Sequence, residues 1–141
     1  LFLGRGKLYP IAMEGALKMK ELAYIHAEGY SAGEMKHGPI ALIDAQMPTI
    51  FVATNEKLFD KIYSNVEQVK ARKGKVIAIV QTGEKRMNKL ANDVIAIPKV
   101  TASQSPIITV VVLQLLAYHI ANKLGKNIDQ PRNLAKTVTV E

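Results

Sequence analysis

The sequence predicts an α/β fold, a three-layer sandwich in which helices cover both faces of a mostly parallel, doubly wound sheet. Three observations predict it. Continuous apolar runs rich in β-branched residues recur at 47–54, 76–80 and 94–97, and strands apolar on both sides belong to sheets buried on both faces. Segments of helical period separate these runs, giving strand, helix, strand, helix, strand. The chain has 141 residues, of which 48% are hydrophobic and 22% charged. That is the size of one domain and too apolar for disorder.

In chain order, Leu1, Phe2 and Leu3 read as a short buried strand and Gly4-Arg5-Gly6 as the turn after it. Pro10 suits the first turn of a helix, and residues 11–24, rich in Ala, Leu, Met, Glu and Lys, continue it. Gly29 and Gly33 interrupt that helix; a shorter helical piece is expected over 32–36, closed by Gly38-Pro39. The run 47–54, bounded by Pro48 and Asn55, is the next strand. Residues 58–71 place Leu58, Ile62, Val66 and Val69 on one helical side, and Lys73-Gly74-Lys75 end them. Strand 76–80 follows, then Thr82-Gly83, a short polar helix through Met87 and Leu90, and strand 94–97. Residues 106–124 form a long helix with Gly125 as its stop signal. Its apolar stretch 107–120 carries Thr109, Gln114 and His119 and falls short of the roughly 20 residues of a membrane span. It therefore reads as a buried core helix. The tail 129–141 has no evident class, although 137–140 alternates. In such folds ligands bind beyond the carboxyl ends of the strands.

The absence of cysteine excludes a disulfide scaffold, a thiolate zinc site and a cysteine nucleophile. The three histidines, His26, His37 and His119, lack metal-ligand spacing, so a structural metal is not expected. The net charge of +7 points to an anionic partner. No secretory signal is visible, and a start in a strand without an initiator methionine reads as part of a longer chain.

Three groups of residues could carry chemistry. On the first helix Glu14 and Glu21 fall about 20° apart and Lys18 about 60° from Glu21. Apolar residues surround this Glu/Lys/Glu arc, so it is expected to face a cavity or a subunit interface, where a carboxylate can serve as a general base. The plain alternative is a helical i,i+4 ion pair. His37 precedes a Gly-Pro break, where its ring can reach outward to shuttle protons or simply sit in solvent. In the tail, Lys136 can form a Schiff base with a ketose carbonyl if its pKa is depressed, or be an ordinary solvated lysine. Weaker signals are Gly4-Arg5-Gly6, which resembles the start of a phosphate cradle, and Thr82-Gly83 at a helix start. The basic runs Lys70, Arg72, Lys73, Lys75 and Lys85, Arg86, Lys89 lack the interleaved aromatics of nucleic-acid binders and read as solvated helix ends. His26 and His119 read as packed or capping side chains.

The stretch from Tyr9-Pro10-Ile11-Ala12-Met13-Glu14 through Lys18-Met19-Lys20-Glu21 to Tyr24-Ile25-His26-Ala27-Glu28 resembles the isomerase region of the glutamine–fructose-6-phosphate aminotransferase (glucosamine-6-phosphate synthase) family. Gly33-Glu34-Met35-Lys36-His37-Gly38-Pro39 and Leu115-Leu116-Ala117-Tyr118 continue the likeness. The closing Asp129-Gln130-Pro131-Arg132-Asn133-Leu134-Ala135-Lys136-Thr137-Val138-Thr139-Val140-Glu141 looks like that family's C-terminus. The resemblance implies a single sugar isomerase (SIS) domain over 1–141, the second of a tandem pair, in a cytoplasmic homodimer whose glutaminase lies upstream. It implies that Lys136 opens the ring of fructose 6-phosphate and forms the Schiff base at C2. Ammonia from glutamine then displaces the lysine, and Glu21 moves a proton between C1 and C2 to give glucosamine 6-phosphate. It further implies that His37 assists ring opening in the neighbouring subunit's site, Lys18 lies near the sugar hydroxyls, and Ala135 contacts substrate through its backbone. No role follows for Glu14, and the implied chemistry requires no metal or organic cofactor. The first turn lacks the hydroxyls of the family's phosphate loops, so the isolated piece is expected to be inactive, to bind substrate weakly and to expose an apolar patch. Competing readings are a SIS sugar-phosphate sensor without turnover, a fructosamine-phosphate deglycase, and, last, a basic nucleic-acid binder.

Overall fold

A computed structural model of the chain describes residues 1–54 and 56–132. Five parallel strands, β1 (Phe2–Gly4), β2 (Gly29–Ser31), β3 (Pro48–Val52), β4 (Lys75–Gln81) and β5 (Asp93–Ile97), form one sheet in the order β2-β1-β3-β4-β5. Three helices cover it: α1 (Tyr9–Ala23), α2 (Phe59–Lys70) and α3 (Ser105–Lys123). Strand side chains alternate between faces. Phe2, Ile50, Val52, Ile79 and Ile97 pack with α1 and α3 on one face, and Leu3, Phe51, Val76, Ala78 and Val80 pack with α2 on the other. This is the expected doubly wound α/β sandwich.

The buried face of α1 is made of small residues, Ala12, Gly15, Ala16 and Ala23, with Met19. A Cβ on Gly15 would lie 2.9 Å from Leu113 Cδ1 and 3.0 Å from Phe2 Cδ1, so α1 sits hard against both α3 and the sheet. Tyr24 caps α1 in the left-handed region at φ 57°. At the other end of the sheet a network ties the loops together. Gln81 Nε2 donates to the Thr54 carbonyl at 2.7 Å while its Oε1 accepts from Val100 N–H at 3.1 Å. The buried Thr54 hydroxyl lies 2.6 Å from that of Ser105 and 3.2 Å from that of Thr109.

Four expectations are corrected. Strand β2 was not foreseen, because three half-exposed residues at a sheet edge carry no apolar pattern. In place of a helical piece over 32–36 there is a 3-10 turn, Met35–His37. Helix α3 is not a buried core helix: Thr109, Leu113, Ala117 and Ala121 face inward, whereas Ile107, at 66% exposure, Val111, Leu115 and Tyr118 face outward. With 19 residues and a mean hydropathy of 1.5, α3 is long and apolar enough by composition to cross a membrane, and in this fold it covers the sheet. Gly4-Arg5-Gly6 is a packing turn. The Leu8 carbonyl oxygen would be 2.2 Å from a Cβ on Gly4, and Arg5 Nε donates to Asn65 Oδ1 at 3.1 Å. Gly4→Ala is therefore expected to lower the stability of the chain by about 1–3 kcal/mol or prevent folding; an unchanged urea midpoint would refute the close approach.

Candidate active site

Strand β1 runs toward its carboxyl end at Gly4 and α1 runs back, with Tyr9 near Gly4 and Gly15 beside Phe2. The last turns of α1 therefore lie toward the amino end of the sheet. Lys18 and Glu21 lie there. Lys18 Nζ donates to Glu21 Oε2 at 2.5 Å and stands 3.7 Å from Glu14 Oε1. Lys18 and Glu21 are half-buried, their side chains 28% and 31% exposed. The hydrogen bond to Glu21 is the main cause that holds the Lys18 ammonium above its ordinary pKa of 10.5. Lys18 is thus a firm cation at neutral pH, able to orient and charge-balance the carboxylate.

The trio lies on the outward face of α1 beside the exposed apolar side chains Met13, Leu17 and Ile25. The same side of the domain carries the outward residues of α3. Among the described residues the trio stands half-exposed at the domain surface. Close by, a mainly apolar cavity of about 570 Å³ opens at the amino end of the sheet between Met19, Ile25, Pro48, Ile77, Leu116 and Ile120.

The trio therefore lies away from the carboxyl ends of the strands, where such folds are expected to bind ligands. Clefts of about 400 and 410 Å³ are present there, sharing Thr54, Gln81 and Lys99. Gln81 and Thr54 are already spent on the network described above, and Thr82 Oγ1 donates to the Ile97 carbonyl at 2.8 Å. Arg86 pairs with Asp60 at 2.7 Å and covers the Phe59 and Tyr63 rings, so it serves packing rather than phosphate binding.

His37 is 75% exposed, with Nε2 3.8 Å from Glu34 Oε2. Its turn packs through Met35 into the α2-side layer, whereas α1 belongs to the other layer. The turn that carries His37 is thus anchored, through Met35, in the layer opposite α1. Lys136 and Ala135, with the alternating stretch 137–140, lie outside the described residues. What is described is the root of the tail: Arg132 N–H donates to Tyr24 Oη at 2.8 Å, three residues past Glu21. Sequence reasoning missed this contact, since neither residue stands out by pattern. It also misjudged His26, which is 85% exposed beside Glu28, and His119, which is exposed on α3 with its ring edge-on to Tyr118 at 5.2 Å. Among the described residues no group of three His, Asp or Glu could hold a metal ion.

An all-parallel α/β sandwich with the strand order 2-1-3-4-5 and a charged trio bordered by exposed apolar side chains defines a doubly wound domain. The chain belongs to the SIS domain family, whose model matches residues 1–123. It is 58% identical over 141 residues to the glutamine–fructose-6-phosphate aminotransferase (isomerizing) of Chlorobaculum tepidum and 59% identical to that of Bacteroides thetaiotaomicron, covering 100% of this chain and 23% of each relative. The chain thus spans about a quarter of the length of these relatives. Among solved structures it is similar to the C-terminal domain of glucosamine-fructose-6-phosphate aminotransferase from Francisella tularensis. The TM-score is 0.83 at 45% identity, over 92% of this chain and 36% of that one.

The Lys18–Glu21 pair makes a pH prediction. Lys18 holds its proton more tightly in the folded state, so the pair's stabilisation is complete below 10.5 and is lost as pH rises through the raised folded value. For so exposed a pair it amounts to less than about 1 kcal/mol. In urea unfolding, the gap between wild type and Lys18→Met should shrink from about pH 8 to about pH 11.5. A gap that widens would contradict the assignment.

Proposed function

We propose that this chain is the second SIS domain of a cytoplasmic glutamine–fructose-6-phosphate aminotransferase, and that it supplies catalytic groups for making glucosamine 6-phosphate. The observation that carries the reading is the likeness over all 141 residues to relatives bearing that name. The half-buried Lys18–Glu21 pair and the tail root beside it support it.

In this reading the Lys136 amine adds to C2 of open-chain fructose 6-phosphate and water leaves, giving an iminium. Ammonia replaces the lysine and leaves the C2 imine. Glu21 removes a proton from C1 and returns one to C2, while Lys18, beside Glu21, balances charge on the sugar hydroxyls as the C1 hydroxyl becomes the aldehyde. An amine nucleophile and a carboxylate base are what such imine chemistry needs, and no redox step is involved. Ala135 holds substrate through its backbone. His37 opens the ring in the site of the neighbouring subunit, a role supported by its exposure.

The partners follow from the surface. Met13, Leu17, Val111, Leu115 and Tyr118 are exposed apolar side chains of α1 and α3, and in this reading the first SIS domain covers them. That domain also supplies the phosphate loops, since the turn at Gly4-Arg5-Gly6 is filled by packing.

In the full-length protein, borohydride reduction with fructose 6-phosphate should trap an adduct on Lys136, and Glu21→Gln should cut turnover by about 100-fold or more while the adduct still forms. A full-length enzyme that turns over with Lys136→Met would overturn the assignment. The isolated 141-residue chain should show no turnover and should self-associate through the apolar side in light scattering. A strict monomer at high concentration would count against that docking face.

A further inference from the structure

We propose that Arg5, Lys36 and Lys61 form a binding site for a phosphomonoester, gripped by its dianionic phosphate, in a pocket that uses none of the residues assigned to the reaction above. The pocket, of about 260 Å³, opens between the turn after β1, the 3-10 turn Met35–His37 and α2. Arg5, Lys36, Lys61, Ser64, Asn65 and Gln68 line it, so three cations meet there without an acidic side chain in the wall. Among the described residues no carboxylate pairs with any of the three. In the strand order 2-1-3-4-5, Arg5 leaves the carboxyl end of β1 where the order reverses, the point at which doubly wound folds receive ligands.

Arg5 is the centre of the site. The backbone of its turn is packed shut, but its side chain is held open for use. Arg5 Nε donates to Asn65 Oδ1 at 3.1 Å, and a Cβ built on Gly33 would stand 3.4 Å from both Nη1 and Nη2. Asn65 is 4% exposed and shares the buried side of α2 with Phe59, Ile62, Val66 and Val69. A polar side chain buried in such company needs a hydrogen bond, and this one spends its oxygen on orienting a guanidinium. Because the amide is neutral, it fixes Arg5 without cancelling its charge; an aspartate at the same place would do both. Nη1 and Nη2 are left without an acceptor among the described residues. Their fork geometry suits two oxygens of one phosphate.

The ligand class follows from charge and from the wall. Three like charges around so small a space repel one another, and a dianion relieves that repulsion better than a carboxylate with its single charge. Lys36 and Lys61 are exposed at the rim, where an ammonium on a flexible stem can close on a bound phosphate. The rest of the wall is polar. Ser64 is exposed, and Gln68 keeps its Oε1 buried with no hydrogen-bond partner among the described residues. An unpaired buried acceptor calls for a donor. A hydroxyl on the organic part of the ester supplies one when the amide turns toward it.

The test uses the full-length protein, with calorimetry for affinity and hydrogen exchange over 30–37 and 60–68 for location, at ionic strength matched with sodium chloride. Inorganic phosphate and glycerol 3-phosphate should bind with a Kd of about 1 mM or tighter and slow exchange in both segments, while acetate should do neither. Arg5→Gln should weaken glycerol 3-phosphate at these segments by about tenfold or more. Lys61→Glu, on the exposed side of α2 where folding is not at stake, should weaken it by about fivefold or more. Turnover of fructose 6-phosphate should stay within about twofold of wild type in Lys61→Glu, because the substrate's phosphate is held elsewhere. Segments unmoved by about 50 mM phosphate would overturn the site, and so would protection that survives Lys61→Glu undiminished. Equal protection by acetate would mark an unselective basic surface and overturn the phosphomonoester. A loss of turnover matching the loss of binding would make the pocket part of the substrate site and overturn its independence. The exchange readout is local, so a protein without aminotransferase activity would sink the reading of the previous subsection and leave this test intact.

Discussion

The close seating of α1 is the constraint on which the rest of the structure depends. Ala12, Gly15, Ala16 and Ala23 present almost no side chain to α3 and the sheet, and Gly15 leaves no room for a Cβ between Leu113 and Phe2. A helix held this tightly cannot roll about its axis, because interiors are close-packed and every rotation would open voids or force overlaps. Its rotation decides which residues face out. Glu14, Lys18 and Glu21 do, bordered by Met13 and Leu17.

An ion pair with this much exposure contributes little to stability. Its energetics change when the apolar side is covered, because desolvation weakens the charges' hold on water and strengthens their hold on each other and on any polar ligand between them. An exposed Lys–Glu pair bordered by apolar side chains is therefore a poor glue. The Tyr24 cap adds a second element: the helix that carries the carboxylate also grips the tail root through Arg132.

The two ends of the sheet have taken different tasks. At the carboxyl end, where doubly wound folds usually bind ligands, Gln81 clamps the loops after β3 and β5, and Thr54, Ser105 and Thr109 satisfy one another's hydroxyls. Satisfied buried polar groups stiffen a loop cluster and leave few donors to spare. At the amino end an apolar cavity opens beside the later turns of α1 and α3.

The apolar runs by themselves determined the parallel sheet, its two buried faces and most helix limits, because continuous β-branched stretches and helical spacing are local properties of the chain. The helical arc of Glu14, Lys18 and Glu21 was equally legible, and the pair forms as its spacing required. The edge strand β2, the outward half of α3 and the exposure of His26 and His119 were not, since burial depends on which neighbours arrive from distant parts of the chain. Nor did any local pattern give the Tyr24–Arg132 contact, which joins residues 108 positions apart. Only the tertiary structure decided that the trio sits at the amino end on an open face, with the turn that carries His37 anchored in the other layer. The reason is that helix rotation, chain direction and layer assignment follow from packing against the sheet rather than from any one segment.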